Sequence, residues 1–314
     1  MPFAQRKRLS GLKKALGTVG QFLEIHWCLD GCGGALNGRK GSIHLRIYGN
    51  IARQEKVSSL MPIEPVIAAL VHYPVKGLSG LTVPEAVLTA GAGMPLDRVY
   101  AIENGSHRFD NQHPKWFPKM HFLQLMMHER LATLSLSFDR QSHTLTLFRD
   151  GKQVAKGALK TWLGRQMIEQ FLAAYMKADL NGPPRIVCAE GHQFTDIAEK
   201  AVHLVNLETV RDASRAIGID LDPLRFRANI YFEGVPAWQE RNWLGKTVAW
   251  GDARLKVFKE TGRCESTSVD PKTGQRGLSV PSALTRVWGH SNLGLYAKVT
   301  RGGVLSAGMK AALS

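Results

Sequence analysis

Nowhere in the 314 residues do apolar side chains run together for the 18 or more positions that a membrane-spanning helix needs, so the sequence predicts no transmembrane span. Cysteine is scarce. Its four positions, Cys28, Cys32, Cys188 and Cys264, are too few and too scattered for a disulfide framework, and no long apolar secretory leader precedes them. The expected compartment is therefore reducing, and we place the chain in the cytoplasm. Cys28 and Cys32 lie close to His26, but no second ligand pair follows at zinc-finger distance. Acidic residues are in deficit, 26 against 41 Lys and Arg, which leaves a net charge of +15. Residues 1–60 hold ten of those bases against three acids, and the other 254 residues hold 31 against 23, so the body is only mildly basic. That surplus suits a pocket for a phosphate-bearing group as well as a polyanion surface. No nucleic-acid signature accompanies it, so no nucleic-acid partner is expected. Internal repeats and low-complexity tracts are absent too.

What is present suffices for a full core: 44% of residues are hydrophobic, and the length leaves room for two domains. Leu9, Leu12, Leu16, Val19 and Leu23 recur at helical spacing among basic residues. Residues 1–60 therefore read as a basic extension, a mis-assigned start ahead of Met61, or a targeting segment. From Val66 the pattern is β, with short runs at Val66 to Val75, Ala86 to Ala90 and Val99 to Glu103. Leu134, Leu136 and Phe138, then Leu145 and Leu147, alternate with Ser and Thr as a hairpin with one buried face, and Arg149 to Lys152 forms a second turn. Leu163, Met167, Phe171 and Tyr175, widened by Ile168 and Leu172, predict a helix that buries this stripe. A second helix is predicted over Leu207 to Ile217, stopped by Gly218. Strands are then expected at Phe226 to Phe232, Thr247 to Trp250, Leu255 to Phe258 and Leu293 to Val299. The fold class is mainly β with some α.

The chemistry concentrates in Arg263-Cys264-Glu265-Ser266-Thr267-Ser268-Val269-Asp270-Pro271-Lys272-Thr273-Gly274. A guanidinium beside a thiol favours the thiolate, which attacks electrophiles and binds soft metals, and Asp-Pro-Lys-Thr-Gly has the turn chemistry to fix such a loop. Thr267 and Asp270 read as builders of that loop through bonds to nearby backbone.

This string resembles the signature of MOSC domains, the molybdenum cofactor sulfurase C-terminal module, in the branch that includes the mitochondrial amidoxime-reducing components. Tyr73-Pro74-Val75-Lys76-Gly77 is similar to the opening of the N-terminal β-barrel that accompanies them, and Phe226-Arg227-Ala228-Asn229 to the segment ahead of the cysteine. After the basic extension over 1–60, the resemblance implies an N-terminal β-barrel domain over 61–180 and a MOSC β-barrel domain with packed helices over 181–314. It implies that Cys264 is a catalytic residue and the thiolate ligand to molybdenum, with Lys76, Gly77, Arg227, Asn229, Arg263 and Thr267 holding the molybdenum cofactor. Three departures stand out: Gly77 replaces a serine, Ala228 replaces a proline, and Lys119 stands where relatives place an arginine.

The function implied is that of a molybdenum-dependent oxidoreductase reducing small N-hydroxylated or N-oxide substrates. No cysteine follows Cys264, so electrons are expected from a separate ferredoxin-, flavin- or cytochrome-type donor protein. The alternative is a carrier in which Cys264 holds a persulfide or the molybdenum cofactor for delivery. The pyridoxal-phosphate domain of full-length sulfurases has no room here, so pyridoxal phosphate is not expected.

Overall fold

The computed structural model describes residues 64–105 and 108–313. The amphipathic stretch, the Met61 start and the Cys28–Cys32 pair lie outside the described residues.

Eight strands form one sheet in the order β15-β11-β12-β13-β9-β10-β1-β2. They are β1 (Val66–His72), β2 (Leu81–Val83), β9 (Val202–Asn206), β10 (Ile230–Glu233), β11 (Thr247–Trp250), β12 (Ala253–Gly262), β13 (Asn292–Arg301) and β15 (Ala311–Leu313). Pairing is antiparallel except between β9 and β10. The sheet curls until its ends meet. Val66 bridges Lys310, Ile67 N donates to Met309 O at 3.0 Å, and Ala311 N donates to Pro65 O at 2.7 Å. Closure removes an exposed sheet edge and encloses a core that includes Leu70, Phe232, Trp250 and Leu255. A strand from the start of the described chain is thus a stave of the barrel built by its second half. β3 (Glu85–Leu88) repeats this exchange by pairing with β14 (Gly303–Ser306).

A second core gathers β4 (Ala101–Asn104) paired with β8 (Pro184–Val187), the meander β5 (Ser135–Phe138), β6 (Thr144–Arg149) and β7 (Lys152–Ala158), and α1 (Trp162–Tyr175). Helix α1 exists as expected, and Ile168 and Leu172 of the expected stripe are buried with Phe171 and Tyr175 packed beside them, but Leu163 and Met167 are not part of the buried face. Gly164, Ile168 and Leu172 point inward, whereas Leu163 and Met167 are exposed. Glycines decide this: a Cβ on Gly164 would lie 2.2 Å from Ala158 O, and one on Gly157 would lie 2.1 Å from Gly164 O. The helix backbone rests directly on β7, and the inward row is the one that contains Gly164.

On the outside of the barrel, α2 (Leu207–Ile217) and α3 (Val280–Trp288) share a third core with Phe226 and Tyr231. Both end on a left-handed glycine, Gly218 at φ 79° and Gly289 at φ 75°. The strand expected from Phe226 begins only at Ile230. Asp222 caps a short 3-10 turn over Pro223–Phe226, and Arg227 turns left-handed at φ 50°. Among the described residues, no helix is long and apolar enough to cross a membrane.

Candidate functional site

Cys264 follows the last residues of β12 and opens a short 3-10 turn, Glu265–Ser268. Its carbonyl accepts from Thr267 N at 3.0 Å and Thr267 Oγ1 at 2.9 Å. Asp270 closes the next turn, its Oδ1 accepting the N–H groups of Lys272 and Thr273, each at 2.9 Å. Arg276 then fastens the loop to the first half of the chain, donating to Met126 O at 2.9 Å and Glu129 Oε2 at 2.8 Å. The thiol thus stands on a loop tied down at both ends.

Cys264 faces a cleft lined by Lys76, Arg98, Lys119, Arg225, Arg227 and Arg263, with Asp196 as the one carboxylate in its wall. A more apolar chamber adjoins it, sharing Gly77, Leu125, Arg225, Arg227 and Ser266 and adding Leu78, Ala132, Leu224, Val269 and Pro271. Three of these arginines carry buried nitrogens with no partner, Arg225 Nε, Arg227 Nη2 and Arg263 Nε. Buried donors left unpaired in a strongly cationic wall are costly unless an anion completes them. The Arg227 side chain lies over the Tyr73 ring at 4.3 Å, with Arg98 over the same ring at 4.8 Å. Burial and the charge of Arg98 push the Arg227 guanidinium below its ordinary value.

The thiol itself is poised. Burial pushes Cys264 up, but hydrogen bonds from the Ser266 hydroxyl and backbone, with the Lys119 ammonium, outweigh this and leave it below the ordinary value for cysteine. The sequence attributed this activation to neighbouring Arg263. In the fold, Arg263 stays within reach of the Cys264 charge but directs its hydrogen bonds elsewhere, donating through Nη2 to Phe226 O at 2.8 Å and through Nη1 to His203 Nε2 at 3.2 Å. His203 is buried, and its surroundings hold it neutral: burial first, then the Arg263 and Arg98 charges, push it well down.

A MOSC domain model matches residues 184–311, and a MOSC N-terminal beta barrel domain model matches residues 64–178. The chain is a MOSC-domain protein. It is 25% identical over 228 residues to the molybdenum cofactor sulfurase of Caenorhabditis elegans, a stretch covering 70% of this chain and 31% of that protein. The chain therefore spans about a third of that relative's length. Among solved structures, the YUAD protein of Bacillus subtilis aligns at 13% identity and a TM-score of 0.38, covering 80% of this chain and 95% of its own. YiiM from Geobacillus stearothermophilus aligns at 18% identity and a TM-score of 0.30, covering 36% of this chain and 53% of its own.

In this MOSC-domain protein the cleft gathers five of the residues singled out from sequence, namely Lys76, Gly77, Arg227, Arg263 and Cys264. Asn229 and Thr267 stand behind it. Asn229 Nδ2 donates to Val71 O at 3.2 Å and its Oδ1 accepts from His203 N at 3.0 Å, so its amide ties β1 to β9. Thr267 spends its hydroxyl on Cys264 O. Lys76 lines the cleft but donates to Phe194 O at 2.9 Å and Asp196 Oδ1 at 2.5 Å. Two departures acquire reasons. The Ala228 N–H, which a proline would lack, donates to Tyr231 OH at 3.0 Å. Gly77 sits at φ 87°, where a Cβ would lie 2.5 Å from Leu123 O.

Sequence reading missed Arg98, Arg225 and Asp196 as cleft residues. Arg98 has no motif around it that the sequence alone made visible. Arg225 stands two residues ahead of Arg227 and holds Asp270 Oδ2 at 2.7 Å, a pairing that only the folded loops create.

Proposed function

We propose that this MOSC-domain protein binds the molybdenum cofactor in the Cys264 cleft and reduces N-hydroxylated or N-oxide substrates. The observation that carries the reading is the donor set: one thiolate-prone cysteine in a wall of six bases whose buried Arg225 Nε and Arg227 Nη2 lack partners. Among the described residues no cluster of three or more His, Cys, Asp or Glu side chains could hold a metal ion alone. A phosphate-bearing sulfur chelator that brings its own metal donors suits both the single thiolate and the surplus of guanidinium.

Arg225 and Arg227, together with Lys76, would hold the cofactor's phosphate by charge-assisted hydrogen bonds, and the apolar wall from Leu78 to Val269 would cover its ring system. Cys264 would ligate the metal, kept as thiolate by Ser266 and Lys119. When bound, the cofactor would supply two-electron redox chemistry for removing the substrate's oxygen. Overall, R–NH–OH, two electrons and two protons give R–NH2 and water, with both electrons delivered by a separate donor protein. The protein's own share is charge, position and a partly water-excluded cleft.

Metal analysis of the protein purified from a host that makes molybdopterin, beside Cys264→Ser, tests the reading. Near one molybdenum per chain, lost in the variant, supports it, and turnover of an N-hydroxylated amidine with a chemical reductant extends it. Cyanide-releasable sulfur at Cys264 without molybdenum would replace the enzyme with a sulfur carrier.

A further inference from the structure

Asp196 is the one acid in a wall of bases, and it occupies an unusual position there. It follows Phe194, which is firmly held: Phe194 N donates to Arg98 O at 2.8 Å, and its ring packs on Phe109 and Phe122. Gln193 anchors the same segment, donating to Met94 O at 2.7 Å and Asp97 O at 2.9 Å. Beyond Asp196 the chain opens to solvent from Ala198 to Lys200. Its carboxylate meets Lys76 Nζ at 2.5 Å, yet the two partners are unequal: the Lys76 side chain is 6% exposed and that of Asp196 48%. The lysine is fixed, and the aspartate can leave by rotating its side chain into water. Crowding by protein atoms pushes the Asp196 carboxyl up, and Lys76, Lys119 and Arg98 outweigh this to hold it ionised, well below the usual carboxylate range.

We propose that Asp196 is the cleft's built-in anion: its carboxylate holds, on Lys76, the place that a ligand's phosphate takes, and ligand entry turns it out into solvent. The inference rests on the reading of this cleft as the site of a phosphate-bearing cofactor. The exchange replaces a single charge with a dianion among six basic groups, so it favours phosphate monoesters and disfavours monoanions, which gain nothing over the resident carboxylate. It also keeps Lys76, buried and otherwise uncompensated, paired until a ligand arrives. Asp196 thereby sets which anions the cleft admits.

The test uses the cofactor-free chain with inorganic phosphate as the probe and isothermal titration as the readout, at pH 7.5 and fixed ionic strength. Asp196→Asn is expected to bind phosphate at least tenfold more tightly than the wild type and to bind nitrate measurably. Glu199→Gln, which removes the same charge from an exposed position three residues along, is expected to change affinity less than twofold. Equal or weaker phosphate binding by Asp196→Asn overturns the proposal, and so does an equal gain in Glu199→Gln, which would reduce the effect to net charge. Asp196→Ser provides the same comparison should the Asn variant fold poorly. Molybdenum retention is measured separately, so a chain that keeps molybdenum while Asp196→Asn leaves phosphate affinity unchanged preserves the functional reading and loses this one.

Discussion

Lys119 and Cys264 line the same cleft, where the lysine's charge helps to hold the thiol below its ordinary value, so a 3-10 turn of the first half of the chain serves the cysteine loop of the second. Lysine here adds to the support for the thiolate that the sequence assigned to Arg263. Alkylation by iodoacetamide reads the consequence, because only the thiolate reacts. In a background with Cys28, Cys32 and Cys188 changed to Ser, the pH midpoint of Cys264 alkylation is expected below that of an ordinary thiol and to rise in Lys119→Met. An unchanged midpoint would assign the lowering to Ser266 alone. Cys188 is expected to react slowly at neutral pH, since burial pushes its thiol up.

Restoring the family's serine at position 77 tests the reason for its absence. Gly77 combines a positive φ with a close approach to the Leu123 carbonyl. Gly77→Ser should therefore destabilise the fold, by about 1–3 kcal/mol on the scale of left-handed strain plus a forced backbone shift. The urea midpoint measures it. A stability equal to wild type would show that the loop relaxes freely.

Asp270 accepts three hydrogen bonds, two from the backbone N–H groups of Lys272 and Thr273 and one from Arg225 Nη2. Asp270→Ala leaves all of these donors to water or unpaired, and a loss of about 1–3 kcal/mol is expected from hydrogen bonds of this kind. The same change frees Arg225 to move, so phosphate affinity should fall along with stability. Asp270→Asn, which keeps an acceptor for the turn, should recover most of the stability and little of the affinity.

Much of this arrangement was legible in the sequence because it is local. The β5–β6 hairpin, α2 with its Gly218 stop, and the Asp270 turn are all fixed by residues a few positions apart. On α1, Leu163 and Met167 were misread as buried because hydrophobic spacing favoured them, while the contact of Gly157 with Gly164 that sets the helix on β7 involves no side chain at all. Helix α3 went unseen, although Ser279 caps it and Gly289 ends it, because nine residues carry too few periods to stand out. The barrel closure at Val66 and Lys310, and the meeting of Arg98, Lys119, Asp196 and Arg225 in one cleft, depend on long-range pairing that leaves no spacing behind.

Glu240 supplies a pH prediction away from the cleft. Its side chain is 1% exposed and accepts from Asn206 Nδ2 at 2.9 Å and Thr209 Oγ1 at 2.7 Å, holding the start of α2. Burial raises its carboxyl above the ordinary 4.5, outweighing those hydrogen bonds. The folded chain therefore keeps this proton at pH values where the unfolded chain has released it. Stability should fall as pH rises from about 4.5 through the folded value, since the unfolded state then binds fewer protons. The carboxylates of Asp196, Asp270, Glu260 and Glu265 are shifted the other way, and their contribution fails only as pH drops below their ordinary values, so the two trends occupy separate windows. Urea midpoints measured from pH 4.5 to 8 for wild type and Glu240→Gln isolate the effect. The variant, which cannot ionise, is expected to show a flatter profile and to gain on the wild type toward neutral pH. Parallel profiles would mean that Glu240 titrates alike in both states and that its hydrogen bonds offset its burial.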